Sequence, residues 1–234
     1  PRLGRFAPDG SPRLIPGHNL SLVTLGAFIL WVGWFGFNAG STLKVDVNLG
    51  LIALNTHLAA AAGAVGAVLA LRSTSSPVLL TTTVNGALGG LVGITAGCAS
   101  MAPGFAILTG LIAGFVVVYG MALMDTLCLD DVVGAVPVHG MAGVWGTLAA
   151  GLFFSGDLFN PGRVMIQLLG SAVAFIWAFP LALLMYFGLA KTIGLRVPMQ
   201  HEQRGLDFSE HAESGYPEFS QSVTFDASEL GRRS

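Results

Sequence analysis

Apolar residues run along this chain in six long blocks broken by short polar or turn-forming stretches. The blocks fall at about 19–41, 48–71, 77–97, 103–124, 133–155 and 164–190, each close to the roughly 20 residues a helix needs to cross a bilayer. The breaks hold Lys44 and Asp46, the stretch from Arg72 to Pro77, Ala102-Pro103, Asp125 to Asp131, and Gly156 to Arg163. The pattern predicts an all-α membrane protein, a polytopic bundle of six transmembrane helices over residues 19–191. Residues 1–18 are rich in Gly, Pro and Arg and read as an extra-membrane linker, and residues 192–234 read as a polar tail outside the bilayer. Apolar residues are scarce from Glu218 onward, where disorder is expected.

Composition agrees with the pattern. Hydrophobic residues make up 53% of the chain and charged ones 10%, against about 25% charged in a soluble domain; mean hydropathy is +0.71. A net charge of −2, without a basic stripe interleaved with aromatics, argues against a nucleic-acid partner. Cys98 and Cys128 lie in different segments without metal-like spacing and read as small apolar fillers. The first residues do not form a signal peptide, and a start at Pro1 without Met predicts a fragment or processed product. A cytoplasmic N-terminus collects Arg2, Arg5, Arg13, Arg72, Lys191, Arg196, Arg204, Arg232 and Arg233 on one side and leaves Lys44 and Arg163 on the other. That satisfies the positive-inside rule. Both ends are expected in the cytoplasm, in a multi-pass protein of the cell (plasma or inner) membrane.

Within the blocks, small residues recur at helical spacing: Ala59, Gly63, Gly66 and Ala70; Gly86, Gly90, Gly93 and Gly97; and Gly143, Thr147 and Gly151. Such stripes let helix backbones approach closely in lipid. On the first span Leu30, Trp34, Phe37 and Ser41 share one face. Ring faces beside a hydroxyl suit a small cation, although spacing alone favours a lipid-facing aromatic belt. On the fifth span His139 stands among apolar and small residues, with Asp130 and Asp131 roughly 12 Å back along a helix. Ionisable groups in such a setting usually face a cavity or a partner. Pro137 falls inside this span, where a proline is expected to remove one backbone hydrogen bond and kink the helix. His57, on the second span, is expected to hydrogen-bond a neighbouring helix.

These residues carry a resemblance. Gly-Trp-Phe-Gly-Phe-Asn-Ala-Gly-Ser at 33–41, Asp-Asp-x-x-Gly-Ala-x-x-Val-His-Gly at 130–140, and Gly-Leu-Arg-Val at 194–197 followed by Gly-Leu-Asp-x-Ser-Glu-His at 205–211 resemble the ammonium transporter family (Amt/Mep/Rh), in its Amt/Mep branch. The resemblance implies half of an eleven-helix inverted-repeat transporter, namely spans six to eleven plus the cytoplasmic tail. The N-terminal half would be missing, and with it the second repeat and the second pore histidine. By the same resemblance Ser41 matches the outer ammonium-recruiting site, Phe37 a gating ring, Trp34 and Leu30 pore-lining positions, and His139 a pore histidine. Asp131 matches an acidic position at the start of its helix, where capping is the expected role. Val132 departs from the family pattern, which commonly has proline there. The implied partners are ammonium or ammonia, the lipid membrane, two further copies in a homotrimer and a PII-type signalling protein at the tail.

The function expected is ammonium transport: recruitment at the outer site, loss of a proton, and passage through an apolar pore along a neutral His139. The alternative is a sensing subunit that binds ammonium without conducting it. An enzyme is not expected, since HExxH, GxSxG and paired intramembrane aspartates are absent from the sequence. Neither a cofactor nor a metal is expected.

Overall fold

A computed structural model describes residues 1–74 and 76–216. Among these residues it is helical throughout, apart from turns and one isolated bridge between Phe6 and Pro12. The helices are α1 (Leu20–Gly40), α2 (Leu49–Ser73), α3 (Leu80–Thr95), α4 (Pro103–Thr126), a π-helical turn (Val136–Met141) leading into α5 (Ala142–Leu152), α6 (Pro161–Thr192), α7 (Met199–Arg204) and α8 (Leu206–His211). The six apolar blocks thus correspond to α1, α2, α3, α4, the π turn with α5, and α6. Of these, α1, α2, α4 and α6 are long and apolar enough to cross a membrane. The expected disorder from Glu218 lies outside the described residues.

Polar side chains set the helix ends. The Asn19 side chain accepts the Leu22 N–H (3.0 Å) and starts α1. Asn160 Oδ1 accepts the N–H groups of Gly162 (2.8 Å) and Arg163 (3.3 Å) and starts α6, satisfying donors that a helix N-terminus leaves open. The fifth block begins later than its apolar run suggests. Helical geometry starts at Val136, so Pro137 sits in the first turn, not mid-helix. Its missing N–H is one that the helix would not have used, and the expected kink does not arise.

Residues 1–184 form one compact unit. In it α2 lies against both α3 and α4, which also pack on each other. The small-residue stripes explain the closeness. A Cβ added at Gly90 would lie 2.1 Å from the Ala59 carbonyl oxygen, one at Gly110 equally close to the same atom, and one at Gly63 2.3 Å from the Gly86 carbonyl. Backbone therefore packs on backbone. On α5 a Cβ added at Gly146 would lie 2.1 Å from the Gly93 carbonyl oxygen; of the predicted stripe, one at Gly151 would lie 3.2 Å from the Arg163 backbone, whereas one at Gly143 meets nothing closer than 3.7 Å. Asn55, fully buried, donates to the carbonyls of Cys98 and Met101 (2.9 Å each) and ties α2 to the α3–α4 turn.

The outer elements invert the soluble pattern. The one buried residue of α1 is the polar Asn38, and no residue of α6 is buried. Ile166, Phe175, Ile176 and Trp177 are each more than 60% exposed. An apolar face that wide is stable in lipid or against other apolar helices, not in water.

The second unit starts at Met185 and contains the tail motif. Gly205 joins α7 to α8 at φ +99°, a conformation open to glycine. The Arg204 guanidinium lies 4.0 Å from the Phe208 ring centroid, and Arg196 pairs with Glu202 at 2.8 Å. The Gly215 N–H donates to Asp207 (3.0 Å) and holds its carboxyl below the ordinary range.

Candidate functional site

The residues singled out on α1 follow one helical face toward its C-terminal end. Trp34 is half-buried because its Nε1–H donates to Thr95 Oγ1 on α3 (2.9 Å), whose hydroxyl in turn donates to the Leu91 carbonyl (2.7 Å). This fixes the indole plane. Phe37 stands edge-on to Trp34, with ring centroids 5.8 Å apart and planes at 84°, an arrangement that the ring quadrupoles favour. Ser41 closes α1, and its hydroxyl donates to the Phe37 carbonyl (2.5 Å). The proton is thereby committed inward, which leaves the oxygen free to accept. Leu30 and Phe37 are 51% and 57% exposed, so this face is open on the present chain.

His139 lies on the π turn, where Ala142 N–H reaches back five residues to the Pro137 carbonyl. Val138 is buried with Ala113, Val117 and Ala142, and a Cβ at Gly120 would stand 3.0 Å from the Pro137 Cβ. One side of the turn is thus seated on α4, and the His139 side is exposed. The apolar enclosure expected around the imidazole is not supplied by the described residues.

The two adjacent aspartates divide their work. Asp131 accepts the N–H groups of Ala135 and Val136 with its two oxygens (2.8 Å each). It therefore caps the turn that carries His139. Asp130 faces away, to Arg2.

α3 lies between the two parts of the site. It packs on α1 and on the π turn, which do not meet each other. Leu88 and Val92 pack on the cluster of Val138 and Ala142, and Thr95, one turn beyond Val92, holds Trp34. A half-exposed stripe of α3 therefore runs from the His139 side to the aromatic side. Sequence reasoning passed over Thr95 and Asn38. Both are polar groups inside apolar spans, the signal that singled out His139. Asn38 donates to Thr56 (2.9 Å), while its carbonyl oxygen is buried without a partner among the described residues.

Among the described residues His57 makes no hydrogen bond to a neighbouring helix, contrary to expectation. It is exposed, with its ring 5.4 Å from that of Trp31 and 6.4 Å from that of Phe35, because α2 turns it toward an aromatic face of α1 that offers no acceptor. Among the described residues no three His, Cys, Asp or Glu side chains gather in a metal-ligating cluster.

Known proteins resemble this chain over most of its length. Residues 1–216 match the profile of the Ammonium Transporter Family. Ammonium transporter Amt2 of Archaeoglobus fulgidus is 46% identical over 235 residues, covering 94% of this chain and 50% of that protein. Ammonium transporter Amt2 of Methanocaldococcus jannaschii is 40% identical, covering 93% of this chain and 51% of its own length. Among solved structures, one titled Sensor Amt Protein superposes with a TM-score of 0.85 at 41% identity, over 90% of this chain and 54% of that one. Mep2 of Candida albicans shares the fold, with a TM-score of 0.74 at 24% identity, over 83% of this chain and 47% of its own. The chain spans about half the length of the curated relatives it matches.

Proposed function

Because this chain belongs to the ammonium transporter family, as a multi-pass membrane protein, we propose that it forms part of a pore carrying ammonium or ammonia across the membrane. The observation that carries the reading is the open face holding Trp34, Phe37 and Ser41 at one end and His139 on a separate, capped turn. An ammonium ion meets ring faces and a hydroxyl oxygen at Phe37–Ser41, where the quadrupole attracts charge and the oxygen accepts an N–H. A bare cation then faces a cost of several kcal/mol or more in an apolar lumen, whereas neutral ammonia faces far less. Loss of a proton before or during passage follows. His139, with one nitrogen donating and the other accepting, suits a neutral hydrogen-bonding rail or relay. Asp131 holds the turn in place. The exposure of Leu30, Phe37 and His139 supports a lumen completed by residues outside this chain, the N-terminal half of an inverted repeat. We further propose a homotrimer, both ends of this chain in the cytoplasm, and a PII-type signalling protein as a partner of the tail.

Similarity to the 41% identical Sensor Amt Protein favours a second reading, in which the assembled protein binds ammonium without conducting it. Methylammonium uptake by cells that lack their own ammonium carriers and express the full-length protein separates the two. Saturable uptake supports transport. Ammonium binding to the purified protein with no uptake supports the sensor.

A further inference from the structure

Residues 2–13, which read as a linker, are folded against the helices. The Ala7 N–H donates to the Ser11 carbonyl (2.9 Å) and the Arg13 N–H to the Arg5 carbonyl (2.7 Å), with the Phe6–Pro12 bridge between them. Asp9 accepts the Ser11 N–H (3.0 Å) and hydroxyl (2.7 Å) and tightens the turn. This hairpin presents two guanidinium groups to the loop before the π turn. Arg2 forks onto Asp130, Nε to Oδ2 at 3.0 Å and Nη2 to Oδ1 at 2.8 Å, and its backbone N–H reaches Oδ2 at 2.6 Å. Arg5 pairs with Asp125 at the end of α4 and lies 3.6 Å from Asp130. The Asp130 side chain is 6% exposed; stripped of these partners it would be a buried, unpaired carboxylate, which the loop would have to move to relieve.

We propose that this segment is a strap holding the His139 turn in register with α1, and that Arg2 and Arg5 are positioning residues of the pore. The inference rests on the transport reading above. Two features carry it. Asp130 adjoins Asp131, the cap of the turn, and a cavity of about 60 Å³ is lined by Arg5, Asp125, Asp131 and Pro137 together, so strap, cap and turn share one small volume. Moreover α1 and the π turn make no contact of their own. Residues 14–18 connect the strap to α1 at Asn19, and its arginines bond to the loop that precedes the turn, giving the two halves of the candidate site a tie besides α3. The fork geometry matters here, because a guanidinium bound bidentately fixes direction as well as distance.

Two experiments on the full-length protein test this. A Cβ added at Gly10 would lie 3.5 Å from Cys128 Sγ, so Gly10→Cys in a Cys98→Ser background should cross-link to Cys128 in native membranes under mild oxidant. Arg2→Asp and Asp130→Arg should each lower the maximal rate of methylammonium uptake at least fivefold per amount of protein in the membrane. KM should stay within twofold, since Phe37 and Ser41 lie at the other end of α1. The double exchange should restore at least half the rate. Absence of the cross-link, wild-type rates in either single variant, or a double variant no better than the singles would overturn the strap. A cross-link in the Gly10→Cys variant, together with no methylammonium uptake by the wild type, would uphold the docking and defeat the transport reading instead.

Discussion

Ser41 and Asp130 illustrate how much a single side chain's role depends on where its hydrogen bonds go. The Ser41 hydroxyl spends its proton on the Phe37 carbonyl and so offers a substrate only an acceptor. Removing one such hydrogen bond costs about 0.5–1.5 kcal/mol. Ser41→Ala should therefore raise the half-saturating methylammonium concentration between about twofold and tenfold, with the maximal rate little changed; a kinetic titration of uptake reads both. Asp130 is set by its environment in a different way. Hydrogen bonds from the Arg2 side chain, and after them the Arg2 backbone N–H and the charges of Arg2 and Arg5, lower its pKa to about 2 against the opposing effect of burial. A folded-state pKa below that of the unfolded chain means that the pair stabilises the fold above about pH 4 and loses that contribution as pH falls toward 2. Thermal unfolding of the purified protein should show Asp130→Asn less stable than wild type at pH 6, with the gap closing near pH 2. In the sequence the family motif singled out Asp131 as a cap, whereas nothing gave Asp130 a partner. The bidentate arginine that separates them lies 128 residues away, beyond the reach of spacing arguments.

At the scale of helices, the length of the apolar blocks was enough to place a helical segment in each, four of them long and apolar enough to cross a membrane, because bilayer thickness imposes a length that local sequence can be tested against. The small-residue stripes were likewise legible as packing surfaces, and the structure converts them into distances. Gly90→Ala would set a Cβ 2.1 Å from the Ala59 carbonyl, forcing α2 and α3 apart. Overpacking of this kind costs typically 1–3 kcal/mol, which a lowered unfolding temperature in detergent would register; Gly33→Ala on α1, whose Cβ meets nothing within 4 Å, should leave it unchanged. The start of the fifth helix was not legible. An apolar run continues through Val132 and Val133, and hydropathy cannot see that Gly134, at φ +75°, breaks the helix before Pro137. The π turn was hidden for a related reason. It is defined by backbone bonds that reach five residues instead of four, as from the Ala142 N–H to the Pro137 carbonyl, which no side-chain pattern records.

For the whole molecule, the open faces are as informative as the packed ones. α1 and α6 expose their apolar residues, and the candidate site lies on the exposed side of the π turn and of α1. The sequence proposed the site residues through family motifs, whereas their openness is a tertiary fact that follows from which helices pack on which. The neutral histidine depends on enclosure that the described residues do not provide, so the proposal is a statement about the assembled protein. The most direct test is radiolabelled methylammonium uptake by full-length wild type and His139→Ala, at matched membrane levels, in cells without other ammonium carriers. The account predicts saturable uptake by the wild type and at least a tenfold fall in rate, or a loss of selectivity against potassium, in the variant. Unchanged rate and unchanged selectivity in His139→Ala would contradict it.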